Sequence, residues 1–209
     1  MELKGKKINF LGDSITQGVG ASKYENCYFS QFAAKTGAVC RNYGISGTRI
    51  ARKKVPSAKP RYDLDFPSRV SEMDADADIV VVFGGTNDYG HGDAPLGDPA
   101  DRTVWSFYGA LHVLYDALLE RFPGAKIVIL TPMVRGDEEN GLLRFSDFVG
   151  AVRQVAGEYK FPILDLYFNY PVDLHDKDMQ MRYIPDGLHP SDLGHALLAD
   201  TLRNFLEAL

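Results

Sequence analysis

Residues 8–16 read Ile8-Asn9-Phe10-Leu11-Gly12-Asp13-Ser14-Ile15-Thr16. An apolar run of strand length stops at a glycine, and a serine follows two positions later. Gly12 permits a tight turn, Ser14 falls at its apex, and Ile15 to Val19 begins a descent away from the sheet. The serine hydroxyl and its backbone N–H are then exposed together, which is the geometry of a strained nucleophile turn. The same string also suits a plain strand end whose Ser and Asp cap a helix. What surrounds it must decide.

Outward from this turn, four more short apolar runs follow: Ala38 to Tyr43, Ile79 to Phe83, Ile127 to Leu130 and Pro162 to Leu166. With Ile8 to Leu11 they read as five buried parallel strands. Helical patterns lie between and after them, at Tyr28 to Thr36, Pro67 to Met73, Thr103 to Arg121, Phe145 to Tyr159 and Ser191 to Leu209. Strict alternation without a repeat or low-complexity linker predicts an α/β/α sandwich with right-handed crossovers and a flavodoxin-like strand order. The expected organisation is one domain over residues 1–209. In such sheets a ligand crevice lies beyond the carboxyl ends of the strands at the switch point, so the turns after strands one, two and three should hold the chemistry.

The 209 residues are 45% hydrophobic and carry 23 basic against 28 acidic side chains, a formal net charge of -5. This balance argues against a nucleic-acid binder that works by phosphate neutralisation. No apolar stretch approaches the length of a membrane span, the start carries no signal-peptide core, and the cytoplasm is the default location. Cys27 and Cys40 read as free thiols. Two connections exceed what packing requires. The basic one runs from Thr48 to Asp65 and carries Arg49, Arg52, Lys53, Lys54, Lys59 and Arg61; the glycine- and proline-rich one runs from Tyr89 to Arg102. The first reads as a solvated strip, with a flap that greets a polar or anionic substrate as the alternative.

Near the other end the chain reads Asp186-Gly187-Leu188-His189-Pro190. A seryl nucleophile must pass its proton to an imidazole held in one tautomer by a carboxylate. Ser14, His189 and Asp186 are those three types, and one short loop can present both the acid and the histidine. After strand two stands Asn42-Tyr43-Gly44-Ile45-Ser46-Gly47-Thr48, and after strand three Gly84-Gly85-Thr86-Asn87-Asp88-Tyr89. A tetrahedral intermediate concentrates charge on one oxygen, and the N–H groups of Ser14 and Gly47 with the Asn87 amide can converge on it.

In this order, Gly-Asp-Ser, Asn-x-Gly-x-Ser-Gly, Gly-x-Asn-Asp and Asp-x-x-His resemble the four blocks of the SGNH hydrolases, also called GDSL-type esterases and lipases. The resemblance spans nearly the whole chain. It implies a flavodoxin-like fold with a five-stranded parallel sheet. It also implies Ser14 as nucleophile, His189 as base, Asp186 as orienting acid, and Ser14, Gly47 and Asn87 as oxyanion-hole donors. Ile15 stands where the family name has Leu, a departure that touches no catalytic atom. Acyl-ester hydrolysis through an acyl-Ser14 intermediate follows, with no metal or organic cofactor.

Around this constellation, Asp13 is expected to bond loop amides and Asp88 to orient the Asn87 loop, with a solvated turn aspartate as the alternative for Asp88; Tyr89 and His91 are candidate substrate contacts, with exposed loop residues without a task as the alternative. Asp13 also stands among the candidate substrate contacts. The aromatics of the helix from Thr103, beginning with Trp105, read as core, with a wall of an acyl or sugar pocket as the alternative for those at its N-terminal end. Phe168, Tyr170, Met179, Met181 and Tyr183 offer a second apolar wall. The expected substrate is a small-molecule ester, with a short acyl group such as acetyl on a polar or carbohydrate alcohol. A lysophospholipase or thioesterase for longer chains is the alternative within the enzyme class, and a phosphate- or sugar-binding module without hydrolysis is the alternative outside it. A homo-oligomer is left open.

Overall fold

The structure, a computed structural model, describes residues 1–136, 138–140 and 143–209. In chain order the strands are β1 (Lys7–Gly12), β2 (Val39–Gly44), β3 (Ile79–Phe83), β4 (Lys126–Leu130), β5 (Glu139–Asn140), β6 (Leu143–Arg144) and β7 (Ile163–Leu164). The α-helices are α1 (Ser14–Gln17), α2 (Tyr28–Thr36), α3 (Phe66–Arg69), α4 (Thr86–His91), α5 (Phe107–Arg121), α6 (Phe145–Glu158), α7 (Leu166–Asn169), α8 (Lys177–Tyr183) and α9 (Asp192–Ala208). The main sheet has the order β2-β1-β3-β4-β7, all parallel. β5 and β6 form a separate antiparallel pair.

β3 is apolar along its whole length because both faces are covered, and the other two central strands, β1 and β4, are polar only at Lys7, Asn9 and Lys126. The two-residue period divides β3 between two cores: Ile79, Val81 and Phe83 pack with Phe29, Phe32, Leu198 and Leu202 of α2 and α9. Val80 and Val82 pack with Leu111, Leu114, Phe148 and Val152 of α5 and α6. β4 divides the same way, Val128 and Leu130 against Ile127 and Ile129. The five expected strands and the α/β/α layering are therefore found. Among the described residues, no helix is long and apolar enough to cross a membrane.

Two helices depart from the sequence pattern. α5 begins at Phe107, not Thr103, because Val104 is held in a turn by its carbonyl, which accepts from Arg52 N (2.8 Å). Trp105 is consequently exposed, with the Arg52 guanidinium over its ring at 5.5 Å. α3 closes after one turn and passes into a 3₁₀ turn over Val70–Glu72.

The order 2-1-3 places the turns after β1, β2 and β3 side by side. Ile45 N donates to Gly12 O (3.1 Å) and Ser46 N to Gln17 Oε1 (2.6 Å), so the β2 turn lies directly on α1. A Cβ at Gly44 would stand 2.3 Å from Gln17 N and 2.5 Å from the Thr16 carbonyl carbon. Both are backbone atoms of α1, and only glycine fits. Gly44→Ala should push the two turns apart and destabilise the fold by about 1–3 kcal/mol, the usual cost of overpacking. Urea unfolding checks this, and an unchanged midpoint would show that the turns have room to part.

Candidate active site

Ser14 opens α1. Asp13 is its N-cap, its carboxylate accepting Ile15 N–H at 3.0 Å, while Gln17 N–H donates to Asp13 O at 2.9 Å. Asp13 thus bonds loop amides, as its place in the sequence suggested. Burial pushes its carboxyl up to about 6, against the pull of the Ile15 N–H and of His189 and Arg69.

His189 and Asp186 arrive from the loop between α8 and α9. Asp186 Oδ1 accepts the N–H groups of Leu188 (2.9 Å) and His189 (2.6 Å), and its Oδ2 faces His189 Nδ1 at 2.7 Å. Gly187, at φ +75°, supplies the left-handed residue that lets the acid bond two amides just ahead of it. Burial alone would raise the Asp186 carboxyl, but the N–H and ring of His189 and the N–H of Leu188 outweigh it and hold it below the usual range. An ionised carboxylate only accepts, so the His189 proton sits on Nδ1. Nε2 is left to accept, and it lies 3.0 Å from Ser14 Oγ. Residues separated by most of the chain's length thus form one hydrogen-bonded line, Ser14 to His189 to Asp186.

The other expected residues gather around α4. Asn87 Nδ2 donates to Thr48 O at 2.9 Å, joining the turn after β3 to the one that carries Gly47. Asp88 fixes the same pair of turns through its carboxylate, which accepts Ile50 N–H (2.9 Å) and Ala51 N–H (2.7 Å). The two long connections are tied as well: Asp93 accepts Lys54 N–H and Val55 N–H, both at 2.8 Å. Tyr89 is buried and does not stand out from its loop. Its ring is 7% exposed and packs on Phe145 and Phe148, because α4 turns this position toward α6. His91 joins Asn87 Oδ1 at 3.1 Å instead of standing free in the cleft. In the expected second wall Tyr170 is buried, while Phe168 and Met181 stand exposed.

Two arginines were not foreseen. Arg69, buried on α3, donates from Nη1 to Tyr43 O (2.8 Å) and from Nη2 to Gly12 O (3.0 Å) and Thr48 Oγ1 (3.2 Å). It thereby fastens the ends of β1 and β2 beneath the site, and burial lowers its pKa to about 10. Arg49, expected on a solvated strip, is 3% exposed; Lys54, Lys59 and Arg61 of that strip are exposed as expected. Nothing in the local sequence distinguishes Arg49 from those neighbours. Among the described residues, no group of three or more His, Cys, Asp or Glu is arranged to hold a metal ion.

A model of the GDSL-like lipase/acylhydrolase family matches residues 10–197. The chain belongs to this family. It is similar to the GDSL lipase Rv0518 of Mycobacterium tuberculosis, with 28% identity over 202 residues, 93% of this chain and 79% of that one. It is also similar to the platelet-activating factor acetylhydrolase IB subunit alpha1 of Pongo abelii, with 26% identity over 215 residues, 97% of this chain and 76% of that one. A crystal structure of a Lactobacillus plantarum protein superposes with a TM-score of 0.86 at 33% identity, covering 98% of both chains. The GDSL-type fold is therefore that of this chain, and its activity class is acyl-ester hydrolysis.

Asp88 carries a pH signature. Burial pushes its carboxyl up to about 7, the two amides of Ile50 and Ala51 pulling the other way. A carboxyl raised above its unfolded value of 3.8 binds its proton more tightly when folded. Its contribution to stability is full at acid pH and is lost as pH rises through about 7. Asp88→Asn removes this titration and sets an amide NH₂ against a backbone N–H, an unmade bond worth about 1–3 kcal/mol. Its stability deficit should be largest near about pH 4 and narrow by about pH 8. Urea unfolding at both pH values checks this; a deficit that widens with pH would mean that the two amides hold Asp88 ionised.

Proposed function

We propose that the protein is a serine esterase that removes short acyl groups, acetyl above all, from a polar alcohol such as a carbohydrate. The single observation that carries the mechanism is the line Ser14 Oγ to His189 Nε2 (3.0 Å) and His189 Nδ1 to Asp186 Oδ2 (2.7 Å). His189 takes the serine proton as Ser14 Oγ attacks the ester carbonyl, and Asp186 stabilises the imidazolium. The tetrahedral oxyanion is met by the N–H groups of Ser14 and Gly47 and by Asn87 Nδ2. His189 returns the proton to the departing alcohol, leaving acyl-Ser14, and water attacks that ester by the same route.

Two features support these donors. Among the described residues, neither Ser14 N–H nor Gly47 N–H donates to a protein acceptor. Asn87 spends one amide hydrogen on Thr48 O and keeps the other. A phosphate-binding module without hydrolysis gives no reason for an imidazole on the serine and a carboxylate behind it.

The acyl preference rests on space. A cavity of about 10 Å³ is lined by Asp13 and Ile15, the neighbours of Ser14, together with Phe83, Thr86, Met133 and Leu188. That is room for about one water-sized group. Val134 also lines a wider cavity of about 680 Å³, whose walls mix apolar Val172 and Leu174 with polar Arg135, Asp173, His175 and Gln180. A slot this small at the residues flanking Ser14 favours a short acyl group such as acetyl over a long chain, and the wider cavity, part polar and part apolar, has room for the alcohol half. The acetylhydrolase in the name of the Pongo abelii relative is consistent with the same acyl size.

A chain-length series of p-nitrophenyl esters with wild type and Ser14→Ala tests the proposal. Acetate should turn over faster than octanoate, and Ser14→Ala should lose at least about 10³-fold in kcat with both. Faster octanoate turnover would assign the longer-chain reading, and full activity in Ser14→Ala would remove Ser14 as nucleophile.

A further inference from the structure

One buried guanidinium joins the two segments that carry the oxyanion donors. Arg49 Nη1 donates to Gly47 O at 3.2 Å and lies 3.1 Å from His91 Nδ1. Its Nη2 donates to Tyr62 O at 2.5 Å and stands 3.6 Å from the Asp63 carboxylate. A guanidinium offers donors only, so His91 Nδ1 must be the acceptor and the imidazole proton sits on Nε2. From there it donates to Asn87 Oδ1 at 3.1 Å. Burial, and after it the charge of Arg49, lowers the pKa of His91 and keeps the ring neutral, as this pattern requires.

We propose that Arg49 and His91 are positioning residues for the oxyanion hole, acting through a relay in which Arg49 fixes the His91 tautomer and His91 fixes the Asn87 amide. The same guanidinium holds Gly47 by its carbonyl, so both donors contributed by the second and third turns are referenced to one rigid group. The relay rests on the reading of Asn87 as an oxyanion donor. An amide can turn about its last torsion, and a turned Asn87 would present its oxygen to the developing negative charge. The Nε2–H of His91 opposes that turn because it requires an acceptor where Asn87 Oδ1 now lies. Neither residue needs to touch substrate. The expected contact between His91 and a substrate hydroxyl is thereby replaced, since both ring nitrogens are already engaged inside the protein.

Steady-state kinetics on p-nitrophenyl acetate with wild type, Asn87→Ala, His91→Ala, His91→Gln and the double variant Asn87→Ala/His91→Ala test this. His91→Ala should lower kcat by about 10- to 100-fold, the scale of a misplaced catalytic group, with little change in KM. The double variant should be no slower than Asn87→Ala alone, since the relay acts only through Asn87. His91→Gln, which keeps a donor and an acceptor, should recover part of the rate. Nitrogen NMR of the wild-type imidazole should report the proton of His91 on Nε2, a readout independent of whether a variant folds. The relay is overturned if Asn87→Ala loses kcat while His91→Ala keeps it, if the two losses add, or if the His91 proton is found on Nδ1. Full kcat in Asn87→Ala is a different result: it removes Asn87 from the oxyanion hole and the relay with it.

Discussion

Parallel strands end their runs at the same edge of the sheet, so the order 2-1-3 brings three turns into one small volume. Their backbones must approach within the distance a single Cβ would occupy, as at Gly44 against α1. Polar backbone groups enclosed in that volume still need partners. Arg69 takes the carbonyls of Gly12 and Tyr43, Asp88 takes the amides of Ile50 and Ala51, and Asn87 takes the Thr48 carbonyl. The bonds of Asp88 and Asn87 join the segments after β2 and β3, and those of Arg69 join α3 to the ends of β1 and β2. The positions of Ser14, Gly47 and Asn87 relative to one another are consequences of this cross-bracing, and catalysis by preorganised donors depends on it.

Three carboxyls near the serine show how environment divides one chemistry into separate tasks. Asp186 is half-exposed and accepts two amides and an imidazole, so it remains a strong acceptor that can hold His189 in one tautomer. Asp13 and Asp88 are buried, and burial pushes them up to about 6 and about 7. Asp13 caps α1 through Ile15 N–H, while Asp88 accepts the amides of Ile50 and Ala51 and keeps the turns after β2 and β3 in register. Adjacency in sequence would favour Asp13 as the partner of the Ser14 base, but its carboxylate is committed to Ile15 N–H.

The sheet was legible because its central strands are buried and largely apolar on both faces, as at Ile79 to Phe83; β2, expected to be buried as well, lies at the edge, is only partly covered and carries Arg41 and Asn42. The Ser14, Asp186 and His189 line was legible because the three residue types have complementary chemistry and stand in turn-forming strings. α4 was not legible: Gly-Gly-Thr-Asn-Asp-Tyr-Gly-His has turn composition, and tertiary bonds through Asn87, Asp88 and His91 accompany its helical form. Arg49 and Arg69 were hidden for a related reason. Most of their partners, the carbonyls of Gly12, Tyr43 and Tyr62, the Thr48 hydroxyl and the His91 ring, lie more than ten residues away, and a lone arginine in a basic loop or at a helix end has no local mark that says it will be buried. The burial of Tyr89 was hidden because its neighbours are polar, while one turn of helix is enough to rotate its ring against Phe145 and Phe148.

A structure of the protein inhibited by a small alkyl fluorophosphonate tests the central claim most directly, since the adduct carries a tetrahedral centre with one oxygen in the place of the oxyanion. The account predicts a covalent bond from phosphorus to Ser14 Oγ. One phosphonyl oxygen should lie about 3 Å from each of Ser14 N, Gly47 N and Asn87 Nδ2. An adduct on another residue, or one whose oxygen points away from Gly47 and Asn87, would contradict it.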